Sequence, residues 1–371
     1  MSRAVSVRKV LFWSHLVTGA VAAVGVLLMA ATGVVLTYDR QIRDWSAHLL
    51  YEPASESPRL SVDAMLDAVA PLAPTRITIP ADLNRMPVVS KGRRTRYYVD
   101  PYTGEMLGSG NEAVNSFLSS TLDLHRWLAL NGEARDAGRA FTGASNLLFL
   151  FLLLSGVYLW LPPLMRWVQL RPRIWFRSAY ASAKARDYHW HHVLGAWALV
   201  PLFAIVASGV VLSYGWAGDL VRWLVSEEAV EYQAVEAQVL QERAPLPLQD
   251  LYEEAARTSP GWRRIEINVP DAADGNVKLH VDYGSGGEPT KKRTLTMHRG
   301  SAETLHVENY SDLTASRRAR IFLRYLHTGE VLGVAGQTIA GAASLLALLM
   351  VWTGLALAWR RYRSFRARPR E

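Results

Sequence analysis

The stretch Tyr188–Tyr214 reads YHWHHVLGAWALVPLFAIVASGVVLSY, and it repeats a stretch near the start of the chain, His15–Tyr38, HLVTGAVAAVGVLLMAATGVVLTY. When the two are aligned, His15 falls on His191, and TGVVLTY falls on SGVVLSY. In each copy the glycine of this ending lies eighteen residues after the histidine. That is about five turns at ~3.6 residues per turn, so the two residues share one helix face. A histidine and small residues on one face of an apolar helix predict a flat ligand held between helices.

Four stretches of the chain lack aspartate, glutamate, lysine and arginine: Val10–Tyr38, Ala140–Met165, Tyr188–Ala217 and Val331–Trp359. Each is longer than the ~20 residues that an apolar helix needs to cross the hydrocarbon core of a bilayer. The sequence therefore predicts an integral membrane protein, surrounded by lipid, with four transmembrane helices. The first stretch is too long for a signal peptide, and no cleavage site of small residues follows it.

Charge predicts the orientation of these helices. The N-terminus, the short loop between the second and third stretches, and the C-terminal tail together carry fifteen basic and only two acidic residues. Basic short loops mark the cytoplasmic side. Both termini are therefore predicted to be cytoplasmic, and two large segments are predicted outside. The basic residues lie beside the apolar stretches, so the net charge of +8 indicates topology and not a nucleic-acid partner.

The chain has no cysteine. Disulfides, iron–sulfur clusters and cysteine-ligated zinc are therefore excluded. A redox protein of this composition must hold its cofactors through histidine.

The two outside segments have similar patterns, each with a short amphipathic helix followed by alternating strands. Together with the paired apolar stretches, this predicts an internal duplication. We predict a membrane α-helical bundle of four transmembrane helices with two periplasmic α+β domains. The predicted boundaries are 1–38 (helix 1), 39–139 (first periplasmic domain and return helix), 140–165 (helix 2), 166–187 (cytoplasmic loop), 188–217 (helix 3), 218–330 (second periplasmic domain), 331–359 (helix 4) and 360–371 (cytoplasmic tail).

Four histidines occupy matching depths in the two halves. His15 and His191 begin the first and third helices, and His125 and His327 precede the second and fourth. A histidine pair at each face of the membrane is what two b-type haems with two imidazole ligands each would need. The other interpretation is that these histidines bind headgroups or backbone. His192 can replace His191 in this scheme, and His125 lies four residues upstream of the position that matches His327.

Two arginines lie beside the proposed ligands at the outer face, namely Arg126 and Arg324. Either can bind a haem propionate through charge-assisted hydrogen bonds. Either can equally be an interfacial arginine that extends its guanidinium into water and needs no cofactor.

Several short motifs occur along the chain, and all but one of them are present in both halves. They are the H-x3-G starts of the first and third helices, an LH dipeptide before the second and fourth, an Asp-x-x-Thr-Gly turn in the first outside segment (Asp100, Thr103, Gly104), and the helix endings Thr32-Gly33, Ser155-Gly156, Ser208-Gly209 and Thr353-Gly354. This pattern resembles the PepSY-associated transmembrane family over nearly the whole chain. The second outside segment departs from it, because it has no clear turn of that type.

The resemblance implies a function. Members of the family include inner-membrane ferric-siderophore reductases, so we expect a dihaem oxidoreductase of the cell inner membrane, with two haems b. It would pass electrons from a flavin, a flavoprotein or a quinol to a periplasmic ferric siderophore and release Fe(II) for iron uptake. One alternative is a non-redox membrane module that binds or regulates peptidases or partner proteins. A second is an iron-chelate transporter, although no membrane-embedded ionisable residues or broken helices favour it.

Overall fold

A computed structural model describes residues 6–51, 58–92, 95–225, 244–271 and 274–367. Two compact units are present. A helical unit comprises residues 1–37, 118–221 and 326–371, and a sheet unit comprises residues 38–117 and 222–325. In chain order, the helices of the described part are α1 (Val7–Leu36), α2 (Asp39–His48), α3 (Val62–Ala68), α4 (Glu112–Trp127), α5 (Ala134–Trp160), α6 (Trp167–Ile174), α7 (Ala183–Ser213), α8 (Gly215–Leu224), α9 (Leu248–Arg257), α10 (Ala315–His327) and α11 (Gly333–Arg366).

Among the described residues, four helices are long and apolar enough to cross a membrane, namely α1, α5, α7 and the stretch Glu330–Arg366 that contains α11. They indicate a multi-pass membrane protein, as the sequence predicts. The helices do not coincide with the apolar stretches. For example, α5 ends at Trp160, before Pro162 and Pro163, and α11 continues past the predicted end at Trp359 to Arg366. Proline cannot continue a helix, whereas long basic side chains can extend into water from a helix that leaves the bilayer.

The four long helices pack in a ring, in which α1 and α7 each lie against α5 and α11. The centre of this bundle is filled by small and branched apolar side chains, namely Ala30, Leu153, Ala198, Leu202, Val206, Ala343 and Ala347. Small residues allow helix backbones to approach closely in lipid, where no hydrophobic driving force acts between helices. At one end of the bundle, the buried carboxylate of Asp187 on α7 forms ion pairs with Arg360 on α11, at 2.5 Å, and with Arg186.

The described part of the sheet unit contains one eight-stranded antiparallel sheet. Its strands are β1 (Arg76–Pro80), β2 (Val88–Lys91), β3 (Thr95–Val99), β4 (Met106–Gly108), β5 (Arg264–Asn268), β6 (Asn276–Asp282), β7 (Lys292–His298) and β8 (Thr304–Asn309). The order β4-β3-β2-β1-β5-β6-β7-β8 is symmetric about the central pair, in which Thr78 lies opposite Glu266. Each half of the sheet is a meander, and the two halves meet at their first strands.

This arrangement changes one prediction. The sequence predicts two separate α+β domains, but their strands form a single sheet with a single core. Buried side chains of both segments, such as Ile77 and Ile267, lie in one cluster with those of α3 and α9. The reason is that β1 and β5 each have a free edge that pairs with the other, through five residue pairs from Arg76–Asn268 to Pro80–Arg264. An unpaired strand edge is a site for further pairing.

The predicted turn at Asp100 is present. The Oδ1 atom of Asp100 accepts hydrogen bonds from the backbone amides of Tyr102 (2.8 Å) and Thr103 (3.0 Å). Gly104 has a φ of +75°, in the left-handed region that favours glycine. The turn therefore needs both the aspartate and the glycine that the sequence motif contains.

Candidate functional site

The first histidine pair, His15 and His191, lies at one end of the bundle. The Nδ1 atom of His15 lies 2.8 Å from Ser155 Oγ on α5, and the Nδ1 atom of His191 lies 3.0 Å from Thr353 Oγ1 on α11. The two imidazoles are close enough to interact electrostatically. Each ring is therefore held by a hydroxyl on a neighbouring helix.

The glycine after each of these hydroxyl residues makes room for the ring. A Cβ atom on Gly156 would lie 3.4 Å from Cε1 of His15, and one on Gly354 would lie 3.5 Å from Cε1 of His191. In both cases a hydroxyl residue followed by glycine provides a hydrogen-bond partner and the space for an imidazole. The sequence shows these dipeptides but does not reveal this role.

The second histidine pair, His125 on α4 and His327 on α10, lies in the same unit. Nδ1 of His125 lies 2.7 Å from Thr32 Oγ1 on α1. Nδ1 of His327 lies 2.8 Å from the carbonyl oxygen of Ile205 on α7. Glycines again face the rings, because a Cβ atom would lie 3.9 Å from Cε1 of His125 at Gly33 and 3.1 Å from Cε1 of His327 at Gly209.

The hydrogen bonds determine which ring nitrogen of each histidine carries the proton. The Ile205 carbonyl can only accept, so Nδ1 of His327 must donate. The other three partners are hydroxyls that already donate their single hydrogen to a backbone carbonyl, for example Ser155 Oγ to Phe151 O at 2.7 Å and Thr32 Oγ1 to Leu28 O at 2.7 Å. These hydroxyls must therefore accept from the histidine. In all four rings the proton lies on Nδ1, which leaves the lone pair on Nε2, as ligation of a metal through Nε2 requires.

The separation of the second pair fits two imidazoles on opposite sides of one metal. The ring centroids of His125 and His327 are 6.3 Å apart. With metal–nitrogen bonds of about 2 Å and about 1 Å more from each nitrogen to its ring centre, two such imidazoles would have centroids about 6 Å apart. Neutral imidazole nitrogens on both sides of a planar group are the axial ligand set of a b-type haem. The residues present therefore fit the predicted cofactor.

The two pairs lie at opposite ends of an apolar layer. Along α7, His191 is followed by the bundle-core residues Ala198, Leu202 and Val206, and then by Gly209, which faces His327. The eighteen residues from His191 to Gly209 correspond to ~27 Å along a helix axis. Each pair therefore occupies its own end of the bundle.

The four-residue offset of His125 is explained by a close backbone contact. The carbonyl oxygen of Trp127, two residues after His125, packs against Gly138, where a Cβ atom would clash with it. The carbonyl oxygen of Gly329, two residues after His327, packs against Gly336 in the same way. The two histidines are thus equivalent in structure.

The extra residues of the first half form the connection between α4 and α5. Three residues in this connection, Leu128, Ala129 and Gly132, have φ values between +54° and +58°. Left-handed backbone at non-glycine residues is uncommon. This conformation reverses the chain sharply, so that the additional residues do not displace His125.

The neighbouring histidines of α7 do not share this geometry. Both ring nitrogens of His189 are engaged, Nε2 with the carbonyl oxygen of Pro172 at 2.7 Å and Nδ1 with the hydroxyl of Tyr180 at 2.9 Å. The ring of His192 lies against that of Tyr188, with centroids 4.3 Å apart. His191 alone of the three is held by a hydroxyl residue followed by glycine, so the geometry favours His191 over His192.

The two predicted arginines lie in different units. Arg126 belongs to the helical unit, where its guanidinium lies 4.7 Å from the centroid of the Trp127 ring. Arg324 belongs to the sheet unit, where its guanidinium lies 6.0 Å from the centroid of the Tyr325 ring. Their role toward a propionate stays a prediction.

One of the four hydroxyl residues behaves differently. Ser208 corresponds to Thr32 in the repeat, but its Oγ donates to the carbonyl oxygens of Ala204 (2.6 Å) and Ile205 (2.9 Å). His327 bonds directly to the carbonyl of Ile205 instead of to the hydroxyl. The two halves are therefore not chemically identical at the second pair.

Comparison with known proteins agrees with the motif pattern. No curated protein matches the chain. A family model described as the PepSY-associated TM region matches residues 12–361, which is nearly the whole chain. The chain therefore belongs to the family defined by the PepSY-associated transmembrane region.

Proposed function

We propose that this protein is a b-type dihaem reductase of the cell inner membrane, which passes electrons across the bilayer to a periplasmic ferric siderophore and releases Fe(II). His15 and His191 would hold one haem, and His125 and His327 the other. When bound, the two haems would supply one-electron redox chemistry at both ends of the bundle.

The observation that carries this proposal is the tautomer of the four histidines, that is, which ring nitrogen carries the proton. Each ring donates through Nδ1 to a fixed acceptor on another helix, so each presents an unprotonated Nε2. A histidine that serves only to satisfy its own hydrogen bonds has no need of this arrangement, and His189, with both nitrogens engaged, illustrates that case. Hydrogen bonding at the distal nitrogen orients a metal-binding imidazole and raises its basicity.

The rest of the bundle has two roles in the proposal. The glycines opposite the rings leave room for the imidazoles, and the apolar core between the pairs excludes water. The pairs are separated by ~27 Å along α7, about the thickness of the apolar layer, so one group at each end would be needed to span it.

The proposed orientation rests on charge. The basic N-terminus, loop and tail favour a cytoplasmic location for both termini, which puts the sheet unit in the periplasm. The first histidine pair would then face the cytoplasmic donor, which is a flavin, a flavoprotein or a quinol. The second pair would face the ferric chelate. Reduction favours release, because hard oxygen ligands hold Fe(III) far better than Fe(II).

The symmetric strand order supports the proposal that the chain arose by internal duplication. Strands β1–β4 and β5–β8 have equivalent positions on either side of the centre. In the bundle, the equivalent contacts Trp127–Gly138 and Gly329–Gly336 repeat with the same geometry. Each unit therefore contains two similar halves, as a duplicated chain would.

A spectrum of the purified protein tests the proposal. We expect a reduced-minus-oxidised b-type spectrum and a pyridine haemochrome value of two haems per chain. Alanine at His15 or His191 should remove one haem, and alanine at His125 or His327 should remove the other. The matched control is His189→Ala, which should retain both haems.

Activity is tested in proteoliposomes. With reduced flavin inside and ferric siderophore outside, Fe(II) captured by an external colour-forming chelator should depend on both pairs. A colourless protein would refute the proposal and favour the non-redox alternative. Iron reduction that is unaffected by His327→Ala would refute the assignment of the second pair.

A further inference from the structure

Four basic side chains from four different elements of the sheet unit lie together, and three of them contact one aromatic ring. Arg40 comes from α2, Arg264 from the start of β5, Lys292 from the start of β7 and Arg324 from the end of α10. The ring is that of Tyr325. We call these five residues the basic cluster. The four basic residues are far apart in the sequence, so no sequence motif predicts the cluster.

The distances to the ring are short. The guanidinium of Arg40 lies 5.8 Å from the centroid of Tyr325, the amine of Lys292 lies 5.4 Å from it, and the guanidinium of Arg324 lies 6.0 Å from it. Each of the three is within the range of a cation–π interaction. Tyr325 is half-buried, while Arg324 is exposed, so the cluster is open to solvent.

The loop after β6 fixes two of the cations. The amine of Lys292 donates to the carbonyl oxygen of Gly286 at 2.6 Å, and Arg264 Nε lies 3.8 Å from Asp282 Oδ2. Gly286 has a φ of +99°, and a Cβ atom there would lie 2.8 Å from Nη1 of Arg40. The positive φ favours glycine at this position, and the absence of a side chain leaves space beside the Arg40 guanidinium.

The concentration of positive charge affects the phenol. Arg40 forms a hydrogen bond with the hydroxyl of Tyr325, and the charges of Lys292 and Arg324 lie beside the same ring. The phenol thus lies in a strongly positive potential. Like charges held together destabilise a fold unless an anion is bound among them.

We propose that the basic cluster is a binding site for the carboxylate groups of an anionic ferric chelate. Arginine binds carboxylates bidentately, lysine adds a point charge, and a tyrosine hydroxyl can donate a further hydrogen bond. Several cations on a half-exposed surface also raise the local concentration of an anionic ligand. The site therefore selects chelates that carry carboxylates, such as hydroxycarboxylate complexes, over cationic or neutral ones.

This inference rests on the proposed function, because it names the class of substrate.

Calorimetric titration of the full-length protein, purified in an uncharged detergent, with citrate and with ferric citrate tests the inference. Arg40→Gln and Lys292→Gln should each weaken binding about tenfold, and Lys292→Arg should restore most of the affinity. Lys278→Gln is the matched control, because Lys278 is an exposed lysine on the same sheet outside the cluster. Its citrate affinity should equal that of the unmodified protein. Added salt should weaken binding to the unmodified protein.

Haem propionates share the carboxylate chemistry, so haem content is measured on the same samples. Unchanged citrate affinity in both glutamine variants would overturn the inference, and so would an unmodified protein that binds no citrate. Loss of haem with unchanged citrate affinity would assign the cluster to a propionate and also overturn it. Failure of the proposed function is distinguishable, because a haem-free protein that binds citrate through Arg40 and Lys292 would refute the function and retain the site.

Discussion

The Nδ1 atom of His191 lies 3.0 Å from Oγ1 of Thr353, whose own hydrogen is directed to the carbonyl oxygen of Leu349, also at 3.0 Å. The hydroxyl therefore accepts from the ring and fixes its tautomer. Ser155 and Thr32 do the same for His15 and His125. Ser208 is the equivalent residue that does not bond to a histidine, and this difference makes the role of the hydroxyl testable.

Removal of the hydroxyls should weaken haem binding without abolishing it. Ser155→Ala and Thr353→Val leave Nδ1 of His15 and His191 without its acceptor, and loss of such a partner typically lowers affinity about 10- to 100-fold. The haem of the first pair should also become easier to reduce, because its imidazoles become less basic. Potentiometric titration measures this. Ser208→Ala should leave both potentials unchanged, and an equal effect of all three variants would contradict the role of the hydroxyls.

Alanine substitution distinguishes His191 from His192. His191→Ala should remove one haem, because its ring alone is held by Thr353 and faces Gly354. His192→Ala should keep two haems per chain, since its ring packs against Tyr188. Pyridine haemochrome analysis of both variants gives the count. The opposite result, loss of haem only at position 192, would transfer the ligand role to His192.

Gly138→Ala should disturb the second pair from a distance. The new Cβ atom would clash with the backbone carbonyl of Trp127, which cannot move without shifting the end of α4 that carries His125. We expect loss of one haem and a lower melting temperature, measured by absorbance and by thermal unfolding in detergent.

Gly218→Ala provides the control for this substitution. No atom lies within 4 Å of the position of the new Cβ atom on Gly218, and alanine is the better helix former. Both haems and the melting temperature should be retained. A haem content that is unaffected in both variants would show that the contact between Trp127 and Gly138 does not position His125.

Breaking the buried ion pair between Asp187 and Arg360 should destabilise the bundle. The side chain of Asp187 is only 1% exposed, so Arg360→Gln leaves a buried carboxylate with less compensation. Loss of one partner of a buried pair costs about 3–5 kcal/mol, whereas loss of both costs much less. The double variant Asp187→Asn with Arg360→Gln should therefore unfold at a higher temperature than Arg360→Gln alone. Additive losses would contradict a coupled pair.

The shared core of the sheet unit should be sensitive to a cavity at its centre. Ile267 is fully buried in β5, and Ile267→Ala should reduce the free energy of unfolding by about 2–5 kcal/mol. The exposed Leu83 is the control, because Leu83→Ala removes a side chain that is 64% exposed. Chemical denaturation followed by tryptophan fluorescence compares the two. Equal stability of both variants would contradict a single core.

Much of the fold follows from the sequence, because its signals are local. Runs of apolar residues predict the four long helices, and alternation predicts strands in both outside segments. The short strand β4 was not predicted, since three residues carry too little periodicity. The pairing of β1 with β5 was also not predicted, because strand partners that are far apart in the chain leave no local pattern.

The candidate site could likewise be predicted only in part from the sequence. The repeat predicts His15, His191 and His327 from matching positions, but the offset of His125 could be resolved only through the contact of Trp127 with Gly138. The sequence shows the hydroxyl residues as part of a motif but does not reveal that they bond to histidines. Hydrogen bonds between helices depend on how the helices pack. The basic cluster around Tyr325 depends on four distant elements and has no signature in the sequence.

The central strand pair has a consequence for biogenesis. Strand β1 (residues 76–80) can pair with β5 (residues 264–268) only after β5 has been synthesised. That is almost two hundred residues later, after α5 and α7 have emerged. Contacts so distant in sequence slow folding, and the nascent first segment exposes a strand edge during that delay. The sheet unit therefore completes its core only after most of the polypeptide has been synthesised, which makes the nascent chain a target for chaperones.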